Sequence, residues 1–204
     1  MRLVVGLGNP GPEYEGTRHN VGFHAVEAVA RRARSIFEVS RKLEGWKGRS
    51  DFECARLARP EALLVKPSCY MNLSGDVVAP LARGLALTPD RILVVYDDLD
   101  LPLGAKRIRP RGGPGTHNGM RSLVNRLATE FPDRPAGDFP RLRIGIGSAG
   151  TDAARYVLEQ FSKKEQVEID IAVEEAADAI LDWLATGDID GCMTRYHSRW
   201  NQGV

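Results

Sequence analysis

Four polar residues stand where chain packing does not call for them. Asn9 follows a short apolar stretch, His19 directly precedes a helical pattern, Asp97 ends the apolar run from Ile92 to Tyr96, and Asn118 follows His117 behind a glycine-rich loop. A histidine that donates one ring N–H to a buried carboxylate has a fixed tautomer and a second nitrogen free to accept a proton. Asp97 is the candidate partner for His19 in that arrangement. The amides of Asn9 and Asn118 each carry a donor and an acceptor, suited to holding an amide substrate or a developing oxyanion. A matched nucleophile is missing: there is no G-x-S-x-G turn, and Cys54 lies in a strand pattern. A histidine and an acid without serine or cysteine point to water activated directly for hydrolysis, which requires no metal or cofactor. Other readings stay open. Asp97 and Asp98 form half a magnesium site, although only Asp100 lies nearby to complete it. Asn9 is also a turn residue before Pro10, and Asn20 is read as the cap of the following helix. His24 and His197 fall in helical patterns and read as surface residues.

The elements able to gather these residues follow from periodicity. Leu3 to Leu7 reads as a short buried strand, and the Gly8–Pro12 stretch as a turn. A helix is predicted from Asn20 to about Arg34, with Val21, Val26, Val29, Ala30 and Ala33 inward. Residues 51–58 and 62–66 read as a hairpin turning at Arg59-Pro60-Glu61. A loop runs from Pro67 to Leu73, and Ser74 is placed as the cap of a helix that Pro80 should kink or restart. Strands are predicted at 92–96, 105–109 and 142–146, and helices at 118–129, 152–161 and 163–186, followed by a short amphipathic tail. Alternating strands and helices imply an α/β fold: one domain over residues 1–204, with a twisted, mixed and mostly parallel sheet flanked by helices. In such a sheet the carboxyl ends of parallel strands share one edge, where ligands bind. Loops 8–20, 67–74, 97–102 and 112–118 should therefore meet in one crevice.

Composition narrows the class. The 204 residues are 43% apolar and 27% charged, with 28 Lys+Arg against 27 Asp+Glu, the profile of a globular protein. No apolar run approaches a membrane span. The first residues lack the pattern of a secretory leader, and three scattered cysteines fit a reducing compartment, so a cytoplasmic location is expected. The balanced charge is unevenly spread. Residues 102–126 hold six basic residues (Lys106, Arg107, Arg109, Arg111, Arg121, Arg126) and no acid, whereas residues 151–190 hold eleven acids. A basic face of this kind suits a polyanion. The Gly6-x-Gly8-x-x-Gly11 stretch fits a dinucleotide fingerprint. That fingerprint needs a helix opening at its third glycine, and Pro12 and Gly16 deny one. A nicotinamide or flavin enzyme is the alternative this sets aside.

Taken together, VVGLGNPGPEYEGTRHNVGF (4–23), KPSCYMNLSG (66–75), VVYDDLDLPLG (94–104), GGPGTHNGMRSL (112–123) and FPRLRIGIG (139–147) make the chain resemble the bacterial peptidyl-tRNA hydrolase family over nearly its whole length. The resemblance implies a monomeric enzyme that cleaves the ester between a peptide and the 3′-terminal ribose of tRNA. It implies His19 as general base, Asp97 as its orienting acid, and Asn9 as the residue that tells N-blocked from free aminoacyl-tRNA. It places Tyr14, Tyr70, Asn72 and Asn118 along the groove for the peptide and tRNA 3′ end, with His117 as a second polar group beside Asn118. Arg109 and Arg143 match basic positions that hold the tRNA 5′ phosphate. Two positions depart from the pattern: Tyr70 stands where Phe is usual, and Thr116 replaces a glycine. A non-catalytic RNA-binding module on the same fold is the competing reading.

Overall fold

The computed structural model describes residues 1–40, 51–150 and 152–201. In chain order the elements are β1 (Arg2–Gly6), α1 (Val21–Arg32), β2 (Glu38–Val39), β3 (Phe52–Ala58), β4 (Glu61–Pro67), α2 (Ser74–Gly84), β5 (Ile92–Asp98), β6 (Lys106–Arg109), α3 (Asn118–Glu130), β7 (Arg141–Gly145), α4 (Ala153–Tyr156), α5 (Lys163–Thr186) and α6 (Ile189–Asn201). The seven strands form one sheet in the order β2-β3-β4-β1-β5-β7-β6. Its centre, β4-β1-β5-β7, is parallel, and β2, β3 and β6 add antiparallel edges.

Alternation along the central strands divides the core. Val4, Leu64, Leu93 and Val95 face α1 and α5, while Leu3, Val5, Leu63, Val65, Ile92 and Val94 face α2 and α3. Both faces are covered, which is why β1 and β5 read as continuous apolar runs rather than alternating ones. The parallel centre puts the carboxyl ends of β1 and β5 side by side, with Gly6 paired to Val95 and Leu7 N–H donating to the Val95 carbonyl at 2.9 Å. Both Asp97 and Asp98 are the last residues of β5, buried to 2% and 7% exposure.

Local expectations differ from the structure in instructive ways. Asn20 occupies the cap position of α1 but makes no capping hydrogen bond; its amide is used elsewhere, as shown below. Ser74 is the first helical residue rather than the cap, and its hydroxyl donates to the Met71 carbonyl at 2.8 Å. Pro80 lies inside α2, which continues to Gly84. Ala33 is exposed, because α1 ends at Arg32. The helix predicted over 152–161 is a single turn, α4, followed by a connector. His197 is half-buried, not a free surface residue: its Nε2 accepts the Ile108 N–H at 2.9 Å, closing part of the open edge of β6. The two-residue strand β2 gave no periodic signal. Among the described residues no helix is long and apolar enough to cross a membrane.

Candidate active site

The carboxylate of Asp97 is the hub. Its Oδ1 accepts from His19 Nδ1 at 2.8 Å and from His117 Nε2 at 2.9 Å. His19 reaches it from the single 3-10 turn Arg18–Asn20 that precedes α1, and His117 from the residue that caps α3. The two imidazole rings lie 5.0 Å apart, and the edge of Tyr96 packs on His117 at 4.9 Å. Burial opposes charge on Asp97, but the two imidazoles outweigh it and hold the carboxyl well below the ordinary range. The acid is therefore an anion at neutral pH, accepting both hydrogen bonds.

Local bonding assigns the tautomers. His117 Nδ1 accepts the Met120 N–H at 3.2 Å as the N-cap of α3. Its proton must then sit on Nε2, the atom that faces Asp97. With Nδ1–H of His19 likewise given to Asp97, Nε2 of His19 is left without a partner among the described residues and is the basic nitrogen. His19 and His117 both line a cavity of about 540 Å³, together with Asp97, Asn118, Arg109, Arg111, Arg141 and Arg143.

His19, Asp97 and His117 are also the candidate metal group, their ligand atoms lying within 4.8 Å of one another. A cation bound at His117 Nε2 would push the ring proton onto Nδ1, against the Met120 N–H that Nδ1 now accepts. The capping bond thus opposes use of this ring as a ligand. The magnesium alternative at Asp97 and Asp98 meets a similar obstacle. Asp97 is engaged by two imidazoles, while Asp98 pairs with Arg143 and accepts the Asp100 N–H at 2.9 Å.

Asn9 is held on three sides. Its N–H donates to Asn20 Oδ1 at 2.8 Å, its carbonyl accepts from Asn20 Nδ2 at 3.0 Å, and its own Oδ1 accepts the Met71 N–H at 2.8 Å. The amide Nδ2 is left as the donor free for a ligand. Asn20 therefore works as a brace for Asn9, a role hidden in sequence because Asn before a helix is the ordinary capping choice. Asn9 lines a neighbouring cavity of about 330 Å³ with Pro10, Phe23 and Lys66, rather than the one that His19 and Asn118 line. Asn118 is exposed at the mouth of its cavity. Its Oδ1 accepts from Arg121 Nη1 at 3.1 Å, so this amide too presents Nδ2.

The remaining expected residues are spread around this centre. Tyr14 and Tyr70 meet edge to face at 6.5 Å, with Tyr70 57% exposed. Asn72 is exposed beside Met71 and lines neither cavity. Arg109 is exposed on the cavity wall, whereas Arg143 is committed to Asp98. Sequence reasoning passed over Arg141, a residue only 1% exposed whose guanidinium stacks on Phe139 at 4.6 Å. It donates to the carbonyls of Gly113 at 2.9 Å and Gly137 at 2.7 Å, tying down the glycine loop ahead of His117. A buried arginine in a strand pattern next to the more obvious Arg143 was the available signal.

Comparison with known proteins places the chain in a family. The family model for peptidyl-tRNA hydrolase matches residues 3–203. The chain is 46% identical over 180 residues to the peptidyl-tRNA hydrolase of Nocardia farcinica, covering 87% of each protein. It is 44% identical over 197 residues to that of Syntrophomonas wolfei, covering 97% of this chain and 100% of the relative. The crystal structure of the Acinetobacter baumannii peptidyl-tRNA hydrolase superposes with a TM-score of 0.83 at 32% identity, covering 96% of this chain and 94% of that one. The chain is a hydrolase and belongs to the peptidyl-tRNA hydrolase family.

Proposed function

We propose that the chain hydrolyses the ester joining a peptide to the 3′-terminal ribose of tRNA, with His19 as general base and Asp97 as its orienting anion. The observation that carries this is the 2.8 Å contact between His19 Nδ1 and a buried, ionised Asp97 in a ring that also lines the 540 Å³ cavity. Nε2 of His19 takes a proton from water as the water oxygen bonds to the ester carbonyl carbon. The carbonyl becomes a tetrahedral oxyanion, for which the free Nδ2 of Asn118 is the nearby donor. Collapse breaks the bond to the ribose oxygen, which recovers the proton from the His19 imidazolium. Asp97 stabilises that imidazolium without taking its proton. His117, locked as a donor, keeps Asp97 charged and in place.

Asn9, with Nδ2 as its free donor, reads the blocked amino group of the substrate. Tyr14 and Tyr70 offer ring surface for stacking, and Asn72 and Asn118 offer hydrogen bonds along the peptide and 3′ end. Arg109 supplies a charge for the 5′ phosphate, and Arg143 joins it once exchange with Asp98 permits. The partner is the acceptor arm of peptidyl-tRNA, met by a monomer in the cytoplasm.

The test is turnover of N-acetyl-aminoacyl-tRNA. His19→Ala should cost roughly 100-fold or more in kcat, the usual worth of a general base. Asp97→Asn should lose a comparable factor, since a neutral amide neither fixes the tautomer nor balances the imidazolium. A His19→Ala variant turning over at the wild-type rate would remove the histidine from the reaction.

A further inference from the structure

Arg18 stands one residue before the base, yet proton transfer from water makes no use of a buried cation there. The residue is 5% exposed, and its guanidinium lies between two rings, 4.3 Å from Tyr156 and 4.7 Å from Phe161. Nη1 donates to the carbonyl of Ile146, just past β7, at 3.2 Å. Nη2 donates to both carboxylate oxygens of Glu165, each at 3.0 Å. One side chain thus reaches the end of β7, the end of α4 and the first turn of α5. Burying a guanidinium is costly unless its hydrogen bonds are supplied, and here Nε has no partner among the described residues. Packing alone would be met by an aliphatic side chain at this position.

The backbone shows what the side chain fastens. Arg18 N–H donates to the Glu159 carbonyl at 3.0 Å, and His19 N–H to the Val157 carbonyl at 2.8 Å. Thr17 and Gln160 complete an antiparallel bridge. The connector between α4 and α5 therefore runs against residues 17–19 like a short paired strand, and it is this connector that orients the peptide unit carrying His19. Val157, with Ala153 and Ala154, also forms one wall of the reaction cavity. Glu165 is doubly employed. It accepts the Ser162 N–H at 2.8 Å in the capping box of α5, and the Arg18 hydrogen bonds draw its carboxyl down to about 2. The Glu165 end of the clamp is therefore a carboxylate across the neutral range.

We propose that Arg18 is a positioning residue for hydrolysis: by clamping the 157–162 connector onto residues 17–19 it fixes the approach of the His19 imidazole to Asp97 and the cavity wall beside it. Its effect on rate rests on His19 being the base; its effect on geometry does not. A base held a few tenths of an ångström from its productive position loses rate without losing substrate affinity.

The variant that isolates the clamp is Arg18→Met, which keeps an apolar stem between Tyr156 and Phe161 and deletes both polar links. Two imidazole N–H signals are followed by proton–nitrogen NMR, His19 Nδ1–H and His117 Nε2–H, assigned through His19→Ala and His117→Asn. In Arg18→Met the His19 signal should be lost or exchange with water at least about tenfold faster while the His117 signal persists, and kcat for N-acetyl-aminoacyl-tRNA should fall about tenfold with KM within about twofold. Retention of both signals at wild-type kcat overturns the proposal, and so does loss of both together, which marks general loosening. Should Arg18→Met not fold, Glu165→Gln decides: the same selective change at smaller size supports the clamp, and an unaltered His19 signal overturns it. A fully active His19→Ala would sink the base assignment while leaving the selective NMR result standing, so the two failures are told apart.

Discussion

Asp97 is a buried carboxylate that two imidazoles keep ionised, and one of those imidazoles is itself held by a helix end. His117 links the stability of α3 to the charge state of the site: its Nδ1 caps the helix and its Nε2 donates to Asp97. Because the folded-state pKa of Asp97 is depressed, the unfolded chain binds the extra proton first as pH falls. The stabilisation from Asp97 is thus complete above the ordinary carboxylate range and disappears as pH drops through the lower, folded value. His117→Asn keeps a good capping residue but takes one imidazole from Asp97, which moves its folded pKa back toward the ordinary one. His117→Asn should therefore be less stable than wild type at pH 7, the gap should narrow as pH falls through the carboxylate range, and acid unfolding followed by circular dichroism should begin at higher pH in the variant. An unchanged acid midpoint would show that His19 alone sustains the charge on Asp97.

At the scale of elements, the site depends on how closely α1 approaches the sheet. A Cβ on Gly22 would lie 2.6 Å from the Leu7 carbonyl oxygen and closer still to that of Val95, both backbone atoms that cannot rotate away. This contact sets the start of α1 directly on the ends of β1 and β5, and so sets His19 over Asp97. Gly22→Ala should destabilise by about 1–3 kcal/mol through overpacking and lower kcat as the first turn lifts. Gly84→Ala, at the end of α2 with no atom within 4 Å, is the matching control and should be neutral or slightly stabilising. Equal urea midpoints for the two variants would contradict the argument. The same comparison separates what was legible in the sequence from what was not. β1, β5, α1 and α3 announced themselves through apolar runs and period, and the parallel edge that brings His19, Asp97 and Asn118 to one cavity followed from their alternation, whereas Asn9 opens into the neighbouring cavity. Residues whose partners are distant in sequence stayed hidden. Asn20 reads as a cap until Asn9 is seen beside it. Arg18 drew no reading of its own, because its partner Glu165 lies 147 positions away. His197 reads as exposed until α6 is laid along β6. Periodicity reports which face of an element is apolar, not which polar atom will meet it from another element.

For the molecule as a whole, the uneven charge distribution becomes a countable surface once partners are known. Of the six basic residues between 102 and 126, Lys106 is buried against Glu175 and Arg126 is paired with Asp76. Arg107, Arg109, Arg111 and Arg121 are exposed without a carboxylate partner among the described residues, and Arg109 and Arg111 line the cavity that His19 opens into. The acids of α5 are turned to structural use: Glu174 and Asp178 bind Arg32 of α1, and Glu165 binds Arg18. The neutral total therefore conceals a small cationic face beside the site and acids largely consumed in joining α5 to the rest of the molecule. Each phosphate neutralised contributes a slope of about 0.7–0.9 to the dependence of log affinity on log salt. Four available arginines then limit the slope of log KM for N-acetyl-aminoacyl-tRNA against log salt to about 3–4, measured at constant pH between low and moderate sodium chloride. Arg109→Gln and Arg111→Gln should each reduce the slope by a little less than one while leaving kcat nearly unchanged, because they act on the phosphate backbone and not on the ester. A slope well above 4 would mean that cations beyond these four also meet phosphates, and if Arg143 is one of them, Asp98→Asn, which frees it in advance, should lower KM at every salt concentration.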